Sequence, residues 1–246
     1  MGGSAPGRRF RRARRGACGV SRRDFLAKVA LVAALLALAG CGWFAERWEW
    51  NQKLTVEVLV DGEIASGSAV SYVRWQEADA LDNYSTAYRG EATVVDLGER
   101  GVLFALIGEA TKYVAGYTLH EELGERRSDY ETLYPKVAGF RGVREVAREA
   151  YPLLVTFTDI ADPTTVKRVD PDDLAATFGP GVALKRITLE ITDEAVTEGE
   201  VEAVLGWLRW SRERFLAAGG GENPLRAPDN SPVGYETIGR TKFIRR

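Results

Sequence analysis

Histidine and cysteine are nearly missing from this chain. Among 246 residues there is one histidine, His120, and there are two cysteines, Cys18 and Cys41. A structural zinc site built from His and Cys needs about four such ligands, so that class is excluded. Nothing in the body would hold a haem or an iron–sulfur cluster through cysteine. If the chain is cut before Cys41, the mature protein keeps one cysteine and can form no internal disulfide, even in an oxidising compartment.

Sequence motifs for common chemistries are missing too. There is no G-x-x-x-x-G-K-[ST] phosphate loop and no G-x-G-x-x-G dinucleotide fingerprint. There is no G-x-S-x-G nucleophile elbow. Ser66-Gly67-Ser68 sits inside a strand pattern, where a glycine marks a bulge or a close backbone approach and not a nucleophile. A Ser-His-Asp arrangement through His120 is arithmetically possible, but a lone histidine ordinarily serves local hydrogen bonding. Asp159, Asp162, Asp170, Asp172 and Asp173 offer oxygen ligands of the kind a hard cation wants. They lack EF-hand spacing, and Asp162-Pro163 and Asp170-Pro171 suit a turn and a helix cap. No cofactor, no metal ligand and no catalytic residue is assigned.

Long apolar runs are scarce. The one that stands out, Val29–Gly40, is 12 residues long. A helix crossing a bilayer needs about 20 residues, whereas a signal-peptide core needs about 7–15. Length therefore favours an export signal. Extension through Cys41-Gly-Trp-Phe44 gives a marginal span and leaves an uncleaved single-pass protein as an alternative.

What is present around that run sharpens the reading. Ser21-Arg22-Arg23-Asp24-Phe25-Leu26 resembles the twin-arginine (Tat) export motif, with Arg22, Arg23, Phe25 and Leu26 as its signal residues. The lysine usual after Phe-Leu is displaced by one, to Lys28. Leu38-Ala39-Gly40-Cys41 resembles the bacterial lipobox, in which the cysteine sulfur is lipidated. The two patterns flank the apolar run in the required order, which makes Cys41 the expected lipidation site and residues 1–40 the signal peptide. Val20 directly precedes the motif and is a candidate alternative start.

Charge divides at the same place. Residues 1–40 hold nine basic groups and one acid. Removing these from totals of 33 and 35 leaves 24 basic against 34 acidic residues from Cys41 onward, a net of −10 behind an overall −2. A body of that charge repels polyanions, so no nucleic-acid partner is expected. The composition, 45% hydrophobic and 28% charged, is that of a folded chain and not a disordered one.

Past Cys41 lies Trp43-Phe44-Ala45-Glu46-Arg47-Trp48-Glu49-Trp50. Tryptophan favours the lipid headgroup zone, so residues 41–52 read as a membrane-proximal tether. The alternative is packing onto the body's own first strand. Residues 53–218 read as one α+β domain. Lys53–Val60 and a second β-rich run ending near Trp75 flank Asp61-Gly62, a strong hairpin signal. Ala78–Tyr88 reads as a polar loop. Glu91–Leu97 and Val102–Ile107 pair across Gly98–Gly101, completing an antiparallel meander.

Mixed helix and strand segments follow. Lys112–Leu123 and Val143–Tyr151 are candidate helices, Leu153–Thr158 a central strand, and Asp170-Pro171 a helix start. Leu184–Ile191 alternates as a strand. Thr197-Glu-Gly-Glu200 matches a capping box before a helix over Val201–Ala218. The Gly/Pro-rich segment 219–246 reads as a surface-hugging or mobile tail. Trp75, Tyr84, Tyr88, Tyr113, Tyr117, Tyr130 and Tyr134 could line a groove for glycan or peptide, or pack the core and its rim.

With these residues in view, the body resembles a family of uncharacterised proteobacterial envelope lipoproteins. The likeness rests on "YRGEATVVDLGERGVLFAL" (Tyr88–Leu106) and "PLLVTFTDIADPTTVKRVDPDDLAATFGPGVALKRITLEITD" (Pro152–Asp193). It implies an envelope location facing the periplasm and a single domain; it carries no activity and no catalytic residues. The expectation is a membrane-anchored, non-enzymatic binding or scaffolding protein with an envelope protein or glycan as partner. The alternative from another class is a carboxylate-dependent hydrolase acting on envelope glycan.

Overall fold

Two alternating runs on either side of Asp61-Gly62 build a long hairpin, β1 (Arg47–Val60) and β2 (Glu63–Glu77). Their register runs unbroken from Arg47↔Gln76 to Val60↔Glu63. Asp61 and Gly62 both take positive φ, 52° and 91°, as the tight two-residue turn requires. The turn is pinned where the Asp61 N–H donates to Gly181 O at 2.9 Å. The structure is a computed structural model, and it describes residues 2, 46–78, 84–210, 214 and 240–246.

The remaining strands are β3 (Tyr84–Glu91), β4 (Thr93–Asp96), β5 (Val102–Ala105), β6 (Val143–Glu145), β7 (Leu154–Phe157), β8 (Val166–Arg168), β9 (Val182–Thr192) and β10 (Ile244–Arg245). The helices are α1 (Val114–Leu119), α2 (Tyr130–Gly139), α3 (Ala175–Phe178) and α4 (Glu200–Val204). The strands form a six-stranded sheet, β10-β3-β2-β1-β9-β6, and a four-stranded sheet, β4-β5-β7-β8. Every pairing is antiparallel. The fold class is α+β.

The chain leaves the large sheet at the end of β3 and enters the small one as β4, so the expected meander is shared between two sheets. Gly67 allows the sheets to meet. A Cβ there would lie 1.8 Å from Val94 O, closer than atoms can approach. No bulge interrupts its pairing with Val56, so of the two expected reasons for this glycine the close approach holds. A bulge occurs instead on β9, where Lys185 is the extra residue between the pairs Glu57↔Arg186 and Val58↔Leu184. It brings two cations to one carboxylate: Glu57 meets Lys185 at 3.2 Å and Arg186 at 2.7 Å.

Two cores result. The first lies on the inner face of the large sheet and includes Trp48, Trp50, Val73, Trp75 and Ile187, with Leu119 of α1, Leu133 of α2 and Leu103 of β5. The second lies on the other face of the small sheet. There Phe104 and Val155 pack against Val201, Leu205, Trp207, Leu208 and Phe243. Alternation along β5 explains the split, because successive strand residues point to opposite faces: Leu103 and Ala105 enter the first core, and Phe104 and Leu106 enter the second.

Several expectations change here. Val143–Tyr151 is not a helix: Val143–Glu145 pair with β9 as β6, and Arg148–Ala150 form a single tight turn. The helix lies earlier, in α2, despite Pro135 inside it. The segment read as a loop, Ala78–Tyr88, contains β3 from Tyr84 onward; 79–83 fall outside the described residues. The capping box does not form. Thr197 Oγ1 instead accepts from the Val70 N–H at 2.9 Å, and the N-cap of α4 is Gly199 with no side-chain bond of its own. α4 ends at Val204, and a tight turn over Gly206–Arg209 follows. Of the tail, 240–246 are described and dock into the body. Phe243 is fully buried, and β10 pairs with β3.

Candidate functional site

One end of the large sheet is built from aromatic side chains. β1 contributes Trp48 and Trp50, β2 contributes Trp75, and β3 contributes Tyr84. Alternation sends all four to the inner face, where α2 adds Tyr130 and Tyr134 and the residue before α1 adds Tyr113. Trp75 is the hub. Its ring lies 4.4 Å from Tyr134 in a stacked contact, 4.9 Å from Tyr130, 5.3 Å edge-on from Tyr113 and 6.0 Å from Tyr84. These spacings lie in the range where aromatic pairs attract beyond simple burial.

Two of the buried indoles are satisfied internally. Trp75 Nε1–H donates to Lys112 O at 3.2 Å, and Trp50 Nε1–H donates to Gln52 Oε1 at 2.9 Å. Gln52 in turn donates to Thr111 O at 2.9 Å. Burial pushes the Tyr134 hydroxyl far above its ordinary value, and burial also raises Tyr130. Tyr84, Tyr113 and Tyr130 remain half-exposed and form the rim. Tyr84 OH donates to Glu131 at 3.2 Å.

The structure thus brings together five of the seven aromatics singled out in the sequence. The other two lie under arginines elsewhere: Tyr88 beneath Arg245 at 4.2 Å, and Tyr117 beneath Arg127 at 4.8 Å. Trp48 and Trp50 belong to the core at 9% and 5% exposure. That overturns the tether reading for these two and favours packing onto the first strand. Trp43 lies outside the described residues.

A second feature is a cavity of about 60 Å³ lined by residues of both sheets. Gln52, Ser71, Glu91 and Thr93 give it a polar wall, and Glu109 and Lys242 lie toward the surface. That volume holds only a few water molecules. Glu91 is 2% exposed. Its carboxylate accepts from the backbone N–H of Gly199 and, at 3.1 Å, of Val201. It therefore caps the short α4 from a distant strand, the role the sequence had suggested for Thr197 and Glu200. No local pattern in the sequence could have marked Glu91, which lies 110 residues from Val201.

Glu109 is held below the usual carboxylate range, first by its hydrogen bond from Lys112. Its neighbour Arg245 lies at 3.7 Å. Both acids at this cavity are thus engaged by donors: Glu91 by backbone N–H groups and Glu109 by cations. A general acid at neutral pH needs a shift opposite to that of Glu109, upward. The five aspartates are likewise employed locally. Asp159 accepts from Ala161 N–H, Asp162 from Thr164 N–H, Asp170 from Asp172 N–H and Asp173 from Ala176 N–H, while Asp172 pairs with Arg148. Among the described residues no three His, Cys, Asp or Glu side chains are grouped to hold a metal. His120 ends α1 with Nδ1 3.1 Å from Tyr117 O.

No protein-family model, curated protein or solved structure matches the chain. The residues read from the sequence as an export signal and a lipidation site, Arg22, Arg23, Phe25, Leu26 and Cys41, lie outside the described residues. Among the described residues no helix is long and apolar enough to cross a membrane. The described body begins at Glu46, and five residues separate Cys41 from the start of β1 at Arg47.

Proposed function

We propose that this is a lipid-anchored protein of the bacterial cell envelope, exported through its twin-arginine signal and held to the membrane by Cys41. In this reading its periplasmic body binds or scaffolds another envelope component, a protein or a glycan. The observation that carries it is the order Arg22-Arg23, a 12-residue apolar run, then Cys41, with a folded body starting a few residues later. That is the order expected of a signal peptide followed by a tethered domain. The binding role draws support from the acids at the inter-sheet cavity, which are engaged as hydrogen-bond and ion-pair acceptors. A carboxylate-dependent hydrolase needs one of its two acids free to give a proton.

Fractionation of expressing cells tests the location. The unaltered protein partitions with membranes, Cys41→Ser moves to the soluble fraction, and Arg22→Lys with Arg23→Lys leaves unprocessed precursor. Crosslinking in the native membrane tests the role and should capture an envelope protein or a glycan strand. If no partner is captured and the purified protein releases fragments from peptidoglycan, the hydrolase reading replaces this one.

A further inference from the structure

The outer face of the large sheet carries an arginine patch near the start of β1, in a body that is otherwise strongly acidic. The register fixes its layout. Arg47 sits beside Gln76, Glu49 beside Arg74 and Asn51 beside Tyr72 on β1 and β2. On the far side, Arg74 sits beside Ala87 and Tyr72 beside Arg89. Alternation puts these side chains on the face opposite Trp48, Trp50, Val73 and Trp75. Three arginines, Arg47, Arg74 and Arg89, therefore share a small area with one acid, Glu49.

That acid is already committed. Glu49 accepts from Tyr72 OH at 2.8 Å and from Arg47, and these bonds, with the nearby charges of Arg47 and Arg74, hold it below the usual carboxylate range. Neither Arg74 nor Arg89 makes an ion pair among the described residues. Arg74 Nε is buried with no hydrogen-bond partner. The Arg89 guanidinium lies over the Tyr72 ring, 4.9 Å from its centroid, which keeps it on this face. Next along β1, Lys53 is neutralised by Glu194 at 2.8 Å, so the excess positive charge is confined to the first rows of the strand. Arginines in excess of their acids cost energy unless an anion meets them, and the planar guanidinium fork suits the paired oxygens of a phosphate or carboxylate.

We infer that this patch docks on the phosphate headgroups of anionic lipid in the membrane that carries the Cys41 anchor. The inference rests on the lipoprotein reading. From Cys41 to Arg47 the backbone reaches at most about 20 Å, so the patch, which begins at Arg47, stays close to the bilayer surface. Basic side chains near such a surface gain about 1 kcal/mol each, and the gain fades within a Debye length. An anchor and a basic patch together make the two-signal attachment that a single weak contact cannot supply.

The test uses protein isolated from its own membrane and reconstituted in vesicles of phosphatidylcholine, alone or with one third phosphatidylglycerol. Phenylglyoxal modifies the arginines, and mass spectrometry reads the rate at each. Arg74 and Arg89 should react about fivefold more slowly on the anionic vesicles, and high salt should remove the difference. Arg127, on the opposite side of the sheet, should react at one rate throughout. Equal rates at Arg74 and Arg89 on both vesicles overturn the inference. So does equal protection on neutral vesicles by millimolar inorganic phosphate, which makes the patch a site for a small anion instead. The same spectra report the N-terminal peptide. Failure of the anchor reading therefore shows itself separately, as an N-terminus that is not acylated Cys41.

Discussion

The two cores are built from similar side chains in different ways. The first is centred on one long hairpin: strands of 14 and 15 residues supply Trp48, Trp50 and Trp75, α1 and α2 lay Leu119, Leu133 and Tyr134 over them, and β9 extends it with Ile187, Leu189 and Ile191. The second depends on the chain coming back. Phe104, Val155 and Phe157 on the small sheet are covered by Val201–Leu208 and by Phe243 near the C-terminus. The long β1–β2 hairpin, paired on both sides, makes the first core a framework. The second is closed by segments whose release should leave that framework standing, so a local opening, and not global unfolding, is expected to set its stability.

Substitution can break that comparison, and the largest effect is expected at the hub of the first core. Trp75→Ala removes a ring packed against four tyrosines and should cost about 3–5 kcal/mol. In urea titrations the fluorescence and circular dichroism transitions should shift together, because the framework itself is weakened. Phe243→Ala deletes a comparable buried ring, yet its cost should stay near about 3 kcal/mol, at the low end for such changes. Its mark is local. The Ala92 and Ile107 amides, bonded to Phe243 O at 2.8 Å and Lys242 O at 2.9 Å, should lose hydrogen-exchange protection while β1 amides keep theirs. A uniform loss would show that the two cores fold as one.

The junction between the sheets gives smaller effects. Gly67→Ala forces a Cβ into the β4 backbone and should cost about 1–3 kcal/mol, read as a lowered urea midpoint. Glu91→Ala strips the acceptor from the Gly199 and Val201 amides. It should cost about 1–3 kcal/mol, with faster exchange confined to the second core.

Acidity and alkalinity test the comparison most gently. Burial raises Tyr134 in the folded state, so its contribution is present below the unfolded value near 10 and is lost as the pH climbs above it. Tyr134→Phe should flatten the fall in melting temperature over that alkaline range. Carboxylates such as Glu109 and Glu57 are lowered by Lys112 and Arg186, so their contribution is present above about 4.5 and fades as the pH drops through their folded values. Exposure screens these pairs, and the acid effect should be small.

Much of the first core was legible in the sequence. The Asp-Gly turn and the alternation of β1 are local signals with local causes, whereas the pattern around Gly67 allows either a bulge or a close approach and does not show its partner, Val94 of the other sheet. The second core was hidden because its determinants are not local. Glu91 caps a helix from another sheet, and Phe243 ends a Gly/Pro-rich segment whose composition suggests a tail. Val143–Tyr151 has a helical look, but β9 offers an edge that captures three of its residues. α2 was missed because Pro135 forfeits one backbone bond that packing of Leu133, Tyr134 and Val137 outweighs. Of the site, the aromatic set was visible by composition, but its convergence on Trp75 needed the fold. The arginine patch needed the register, since Arg47, Arg74 and Arg89 are far apart in sequence.

The anchor bears most of the functional reading, and mass spectrometry of the protein extracted from its native membrane tests it most directly. The account predicts an N-terminal peptide that begins at Cys41 and carries acyl chains on the sulfur. A mature protein that still contains Arg22 and Arg23, with an unmodified Cys41, would contradict it.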